Sequence, residues 1–237
     1  MEKIAKQNYL NTKFILDNLK RQQKTILTHK VTFTGFDTLG HEKDVMIKEY
    51  YDTPDFFLQE RGLTVNRNVI KGKKTCELVV RFDTERERIK FISNIPDTFS
   101  IDIPVKASIY NYVEFIAESI SELVPSGISV DLTQLANNII KVCTLTKERE
   151  TFRFINIVGL KPNFSFVTMK MESHISRDKD TIQMLEITCY DQEKVDEYNA
   201  FIKKLSFNNP TLIKLPTSDM DIARDSLFKS LNNDTKK

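Results

Sequence analysis

Basic residues recur at every second position in several segments of this chain, the spacing that places side chains on one face of a β-strand. Arg86, Arg88 and Lys90 follow this pattern, as do Arg149, Thr151 and Arg153. By the same alternation Lys30, Arg81 and Lys170 join that face, giving eight bases against three acids, Glu77, Glu172 and Glu186. Arginine's planar fork matches phosphate oxygens, so phosphate binding is the chemistry this pattern suits. Two like charges ~6 Å apart at an effective dielectric of ~20 repel by roughly 3 kcal/mol. An open sheet leaves such a face in water. A sheet that curls shut turns it into a crowded cationic bore that a polyanion would neutralise.

The elements that must position these residues can be read from periodicity. Leu10, Phe14, Ile15 and Leu19 predict an opening amphipathic helix over 5–20. Strands are expected in "TILTHKVTFTGF", "VMIKEYYD", "GLTVNRNVI", "TCELVVRFD" and "RERIKFI", with a hairpin turn at Gly72. Two helices follow, "SIYNYVEFIAESISELV" and "DLTQLANNIIKVC", the second capped by Asp131. "RETFRFINI", "FSFVTMKME" and "IQMLEITCY" are three more strands, and helices around 193–205 and 218–231 close the chain. About eight strands with short connections and four or five helices make an α+β protein whose sheet is largely antiparallel. With no repeat or Pro/Gly-rich linker, 1–237 is read as one domain. The apolar sides of the strands, among them Leu63, Val65, Leu78, Val80, Val167, Met169, Leu185 and Ile187, should pack beneath the helices.

Composition narrows the function classes. A net charge of +2 from 35 bases and 33 acids excludes a globally basic nucleic-acid binder. Six glycines and no GxGxxG or GxxxxGK[ST] argue against a Gly-rich phosphate loop. Three scattered cysteines, Cys76, Cys143 and Cys189, read as reduced thiols of a cytoplasmic protein. No apolar run is long enough to span a membrane. His29 and His174 lack zinc-ligand spacing, and "HEKD" (His41 to Asp44) reads as a polar loop.

The stretch "YYDTPDFFLQERGLTVNRN" resembles the signature of the CYTH-type triphosphate tunnel metalloenzymes, a strand ending in Tyr-Asp-Thr followed by a helix, Gly-Leu and a strand usually rich in arginine, where this chain carries Asn66 and Asn68. "ELVVRF", "RERIK", "TKERETFRF" and "MLEIT" resemble that family's later basic and acidic strands in the same order. The resemblance implies a closed eight-stranded antiparallel β-barrel, a triphosphate tunnel with flanking helices. It also implies phosphate contacts at Lys30, Arg81, Arg86, Arg88, Arg149, Arg153 and Lys170, and Mg²⁺ or Mn²⁺ on glutamates. Several acidic positions of the pattern are changed. "ILTHK" carries Ile26 and Thr28 where glutamates are usual, Thr188 replaces the second acid beside Glu186, and Asp219 stands where a lysine is common. Glu186 is then the main candidate metal ligand, with Glu77 and Glu172 on the same predicted face, and a weak metal site is expected. The expected function is binding of a phosphorylated small molecule, a polyphosphate or an RNA 5′ end, with catalysis weakened or lost. A metal-dependent triphosphate phosphohydrolase and a non-catalytic protein-interaction module are the alternatives.

Overall fold

The computed structural model describes residues 10–28, 36–70, 75–83, 88–96, 138–156, 158–216 and 218–227. Nine strands and three α-helices lie in them. The strands are β1 (Leu10–Ile15), β2 (Phe36–Asp52), β3 (Leu63–Ile70), β4 (Thr75–Asp83), β5 (Arg88–Pro96), β6 (Ile140–Asn156), β7 (Pro162–Ser173), β8 (Lys179–Cys189) and β9 (Ile213–Leu215). The helices are α1 (Leu19–Thr28), α2 (Val195–Asn208) and α3 (Asp219–Leu227). The hydrogen-bonded order is β5-β4-β3-β2-β6-β7-β8-β1-β9. The terminal strands β5 and β9 are not neighbours in it, so among the described residues hydrogen bonds do not close the sheet into the expected barrel.

Two compact units divide the chain. One comprises 1–7, 46–145 and 172–178, the other 8–45, 146–171 and 179–237. In the first, β3 pairs antiparallel with β2 (Tyr51↔Val65) and β4 (Thr64↔Arg81), and β4 with β5 (Arg81↔Lys90). Leu63, Val65, Leu78 and Val80 point to one side and are fully buried, the side that alternation assigns to the core. In the second unit β1 pairs antiparallel with β8 (Lys13↔Glu186) and with β9 (Phe14↔Lys214). Its core gathers Phe14, Leu16, Phe164, Phe166, Leu185 and Ile187 against Tyr198 and Leu205 of α2. Phe152 and Phe154 pack on this cluster, edge-on to Phe166 (6.0 Å) and Phe164 (5.1 Å), as their alternation predicts.

Several expected elements change identity. Residues 10–15 form β1 instead of helix, because Leu10 and Phe14 are four apart, a spacing that is also even and so equally fits one face of a strand. The expected first strand begins as helix: Ile26–Thr28 belong to α1. Asn18 starts that helix, its Oδ1 accepting from Arg21 N (3.0 Å) while its own N–H donates to Gln22 Oε1 (3.1 Å). The β-branched Ile140 and Val142 lie in β6 instead of ending a helix. His41 to Asp44 lie inside the 17-residue β2, not in a loop. The turn at Gly72, the helix over 108–124 and Asp131 fall outside the described residues.

Candidate functional site

In the second unit, alternate residues of β6 present Lys147, Arg149, Thr151 and Arg153 along one side. Lys147 is the buried end of this row, its side chain 6 % exposed. Its Nζ lies 3.2 Å from both carboxylate oxygens of Asp219 and 3.3 Å from Glu186 Oε2. From β1, Lys13 Nζ donates to Asp219 Oδ1 at 2.5 Å and lies 3.8 Å from Glu186 Oε1. Asn11, two residues before Lys13 on the same strand, donates to Glu186 Oε1 at 3.1 Å. Four charged side chains from β1, β6, β8 and the start of α3 thus meet in a buried cluster.

Burial alone would lower the Lys147 pKa, but the facing charges of Asp219 and Glu186 outweigh it and hold the pKa above the usual lysine value. Along the row toward Arg153 the pairs become more exposed. Arg149 makes a two-pronged contact with Asp44, Nε to Oδ1 at 2.9 Å and Nη2 to Oδ2, and that hydrogen bonding raises its already high pKa. Arg153, half exposed, pairs with Glu42. The row therefore grades from a locked ion cluster at Lys147 to a solvent-facing pair at Arg153.

In the first unit the Asp-Thr-Pro segment is a turn built around one carboxylate. Asp52 Oδ1 accepts from the N–H of Thr53 (2.7 Å) and Leu58 (2.9 Å), and Oδ2 from that of Gln59 (3.0 Å). Thr53 Oγ1 accepts from Phe57 N–H (3.0 Å), and Gly62, at φ 72°, reverses the chain into β3. Burial pushes the Asp52 carboxyl up to about 6, against the three N–H groups that favour the anion. Along β2 and β3, Glu49 bonds Arg67 Nη1 (2.7 Å) and faces Lys141 Nζ (3.7 Å).

The sequence candidates are placed as follows. Arg149, Arg153 and Glu186 lie in the second unit around the β6 row and its buried cluster. Lys170 lies out of phase with that row: it is exposed and pairs with Glu148 at 2.6 Å. Arg81 and Glu77 are on β4 of the first unit, where Glu77 accepts from Asn68 Nδ2 at 3.4 Å, and Glu172 is exposed there. Arg88 opens β5, while Lys30 and Arg86 lie outside the described residues. Lys13 and Lys147 are not among the sequence candidates. Helical spacing over 5–20 gives Lys13 no strand face, and Lys147 lies just two residues before Arg149 in the same alternation.

A divalent cation would need hard oxygen donors free to face it. Both oxygens of Glu186 already face ammonium or amide donors, so this glutamate as arranged does not fit a Mg²⁺ or Mn²⁺ ligand. No group of three or more His, Cys, Asp or Glu side chains among the described residues is placed to hold a metal ion. No described helix is long and apolar enough to cross a membrane.

The architecture is α+β, an antiparallel sheet with helices, and it is shared with known structures. A "putative adenylate cyclase" from Bacillus halodurans matches with a TM-score of 0.51 at 12 % identity over 91 % of this chain and 96 % of that one. A "putative adenylyl cyclase", HpAC1 from Hippeastrum, described as revealing a dominant triphosphatase activity, matches with a TM-score of 0.50 at 11 % identity over 92 % and 95 %. At such identities the likeness concerns the fold. No family model and no curated protein sequence matches the chain.

Proposed function

We propose that this protein is a CYTH-like tunnel protein that binds a ligand carrying a triphosphate or polyphosphate group, with the metal-dependent step weakened or lost. The cationic row on β6 carries the reading. Arg153 is held by Glu42 in a half-exposed pair, and pairs of that kind contribute only about 0–1 kcal/mol, so a polyanion can exchange for that carboxylate. The two-pronged Asp44 contact on Arg149 has the geometry a phosphate would adopt there. By the resemblance in sequence, Lys30, Arg81, Arg86 and Arg88 are expected to contact phosphate as well. The fold shared with a protein described as a triphosphatase supports the ligand class. The engagement of Glu186 by Lys147 and Asn11 supports loss of the metal-dependent step.

Binding of inorganic triphosphate, measured by calorimetry and by thermal stabilisation, tests this directly. Affinity should weaken about tenfold in Arg149→Gln, the loss of roughly one charge-assisted pair. A protein indifferent to triphosphate, nucleoside triphosphates and polyphosphate would be an interaction module instead. The second reading, a hydrolase, is favoured by that same structural neighbour. Release of phosphate with Mg²⁺ or Mn²⁺ from triphosphate, a nucleotide or an RNA 5′ end, abolished by Glu186→Gln, would establish it.

A further inference from the structure

We infer that Asp219 is a built-in anion that occupies a phosphate subsite formed by Lys13 and Lys147, and so limits how much of a phosphate chain the β6 row can take. The inference rests on the binding reading above and assigns that site a residue that sets its specificity. The geometry carries it. Asp219 Oδ1 lies 2.5 Å from Lys13 Nζ, and both of its oxygens lie 3.2 Å from Lys147 Nζ. Two ammonium groups from different strands converging on one carboxylate make the contact that would hold a phosphate oxygen. The carboxylate is not a passing surface partner. Asp219 is 4 % exposed and opens α3, and Met220, Ile222, Ala223 and Leu227 of that helix are buried, so a fixed support delivers the charge. On the same side of β6 Arg149 stands two residues from Lys147, which makes the occupied position continuous with the exchangeable one. Phosphates can replace Asp44 on Arg149 and Glu42 on Arg153, whereas the Lys13–Lys147 position, bordered by Glu186 at 3.3 Å from Lys147 and 3.8 Å from Lys13, is closed while Asp219 fills it.

The test compares wild-type protein with Asp219→Asn, which removes the charge, and Asp219→Ala, which removes charge and volume. Calorimetric titration with inorganic pyrophosphate and triphosphate should show each variant binding at least about tenfold tighter than wild type, with a steeper salt dependence. Adding Lys13→Met to Asp219→Asn should abolish that gain. Unchanged or weaker binding in both variants overturns the inference. Should the variants not fold in plain buffer, refolding in millimolar triphosphate is compared with sodium chloride of equal ionic strength. Recovery confined to triphosphate supports the subsite, and no recovery overturns it. Wild-type binding without gain in the variants refutes the inference and leaves the binding reading standing. Binding by the variants alone supports the subsite beneath Asp219 and overturns the reading that the wild-type row itself takes a phosphate chain.

Discussion

Asp52 and Asp219 are buried almost equally, 3 % and 4 % exposed, yet the protein satisfies their carboxyl groups by opposite means. Asp52 is held by backbone N–H groups one, six and seven residues along the chain. Asp219 is held by two ammonium groups, 206 and 72 residues away in sequence. Dipoles organise the first turn without supplying a counter-charge, so burial still raises the acid's pKa to about 6. Counter-ions hold the second site together, but only while every partner is present. A buried carboxylate can thus be a local fastener or a long-range lock, and the two should fail differently.

The lock should show the largest effect. Lys147→Met leaves Asp219 and Glu186 buried with one ammonium fewer, and urea unfolding should register a loss of about 3–5 kcal/mol. A loss below about 1 kcal/mol would mean that the cluster is solvated and the contrast with Asp52 false.

The fastener should show itself through pH. The folded pKa of Asp52 lies above the unfolded value of 3.8, so the native state holds an additional proton between pH ~4 and ~6. Its contribution is therefore most favourable below that window, falls by about 3 kcal/mol as pH rises through it, and is constant above. Stability curves of wild type and Asp52→Asn, measured between pH 4 and 7, should differ by this slope, the variant being flat for this term. A carboxyl that titrates near 4 in carbon NMR would remove the effect.

Two smaller substitutions sharpen the boundary. Gly62→Ala places a Cβ at φ 72°, where a side chain is disfavoured, and should cost about 1 kcal/mol in thermal unfolding while leaving anion binding intact. Arg153→Ala breaks a half-exposed pair and should cost under about 1 kcal/mol, its main consequence appearing as weaker triphosphate affinity.

The difference between fastener and lock is also the difference between what was legible and what was not. The Asp-Thr-Pro turn, β7, β8 and α2 follow from nearby residues: turn chemistry, alternation, helical spacing. β1 and α1 were exchanged, since Leu10 and Phe14 satisfy both periods and Asn18 was not recognised as a cap. The arginines of β6 could be found by alternation. Their partners Asp44 and Glu42 could not, because "HEKD" carries no sign that it lies within a strand. Of the bases expected on one face, Arg149 and Arg153 on β6 are paired with Asp44 and Glu42, and Lys170, off that row, with Glu148.

What the sequence by itself determined is therefore an α+β chain with an antiparallel sheet, a strand end at Asp-Thr-Pro and a cationic phase on β6, since each depends on interactions spanning only a few residues. Tertiary structure alone decided that Lys13, Lys147, Glu186 and Asp219 share one buried volume. Strand pairing and the docking of α3 bring together charges far apart in the chain, and no local periodicity records which of them will meet.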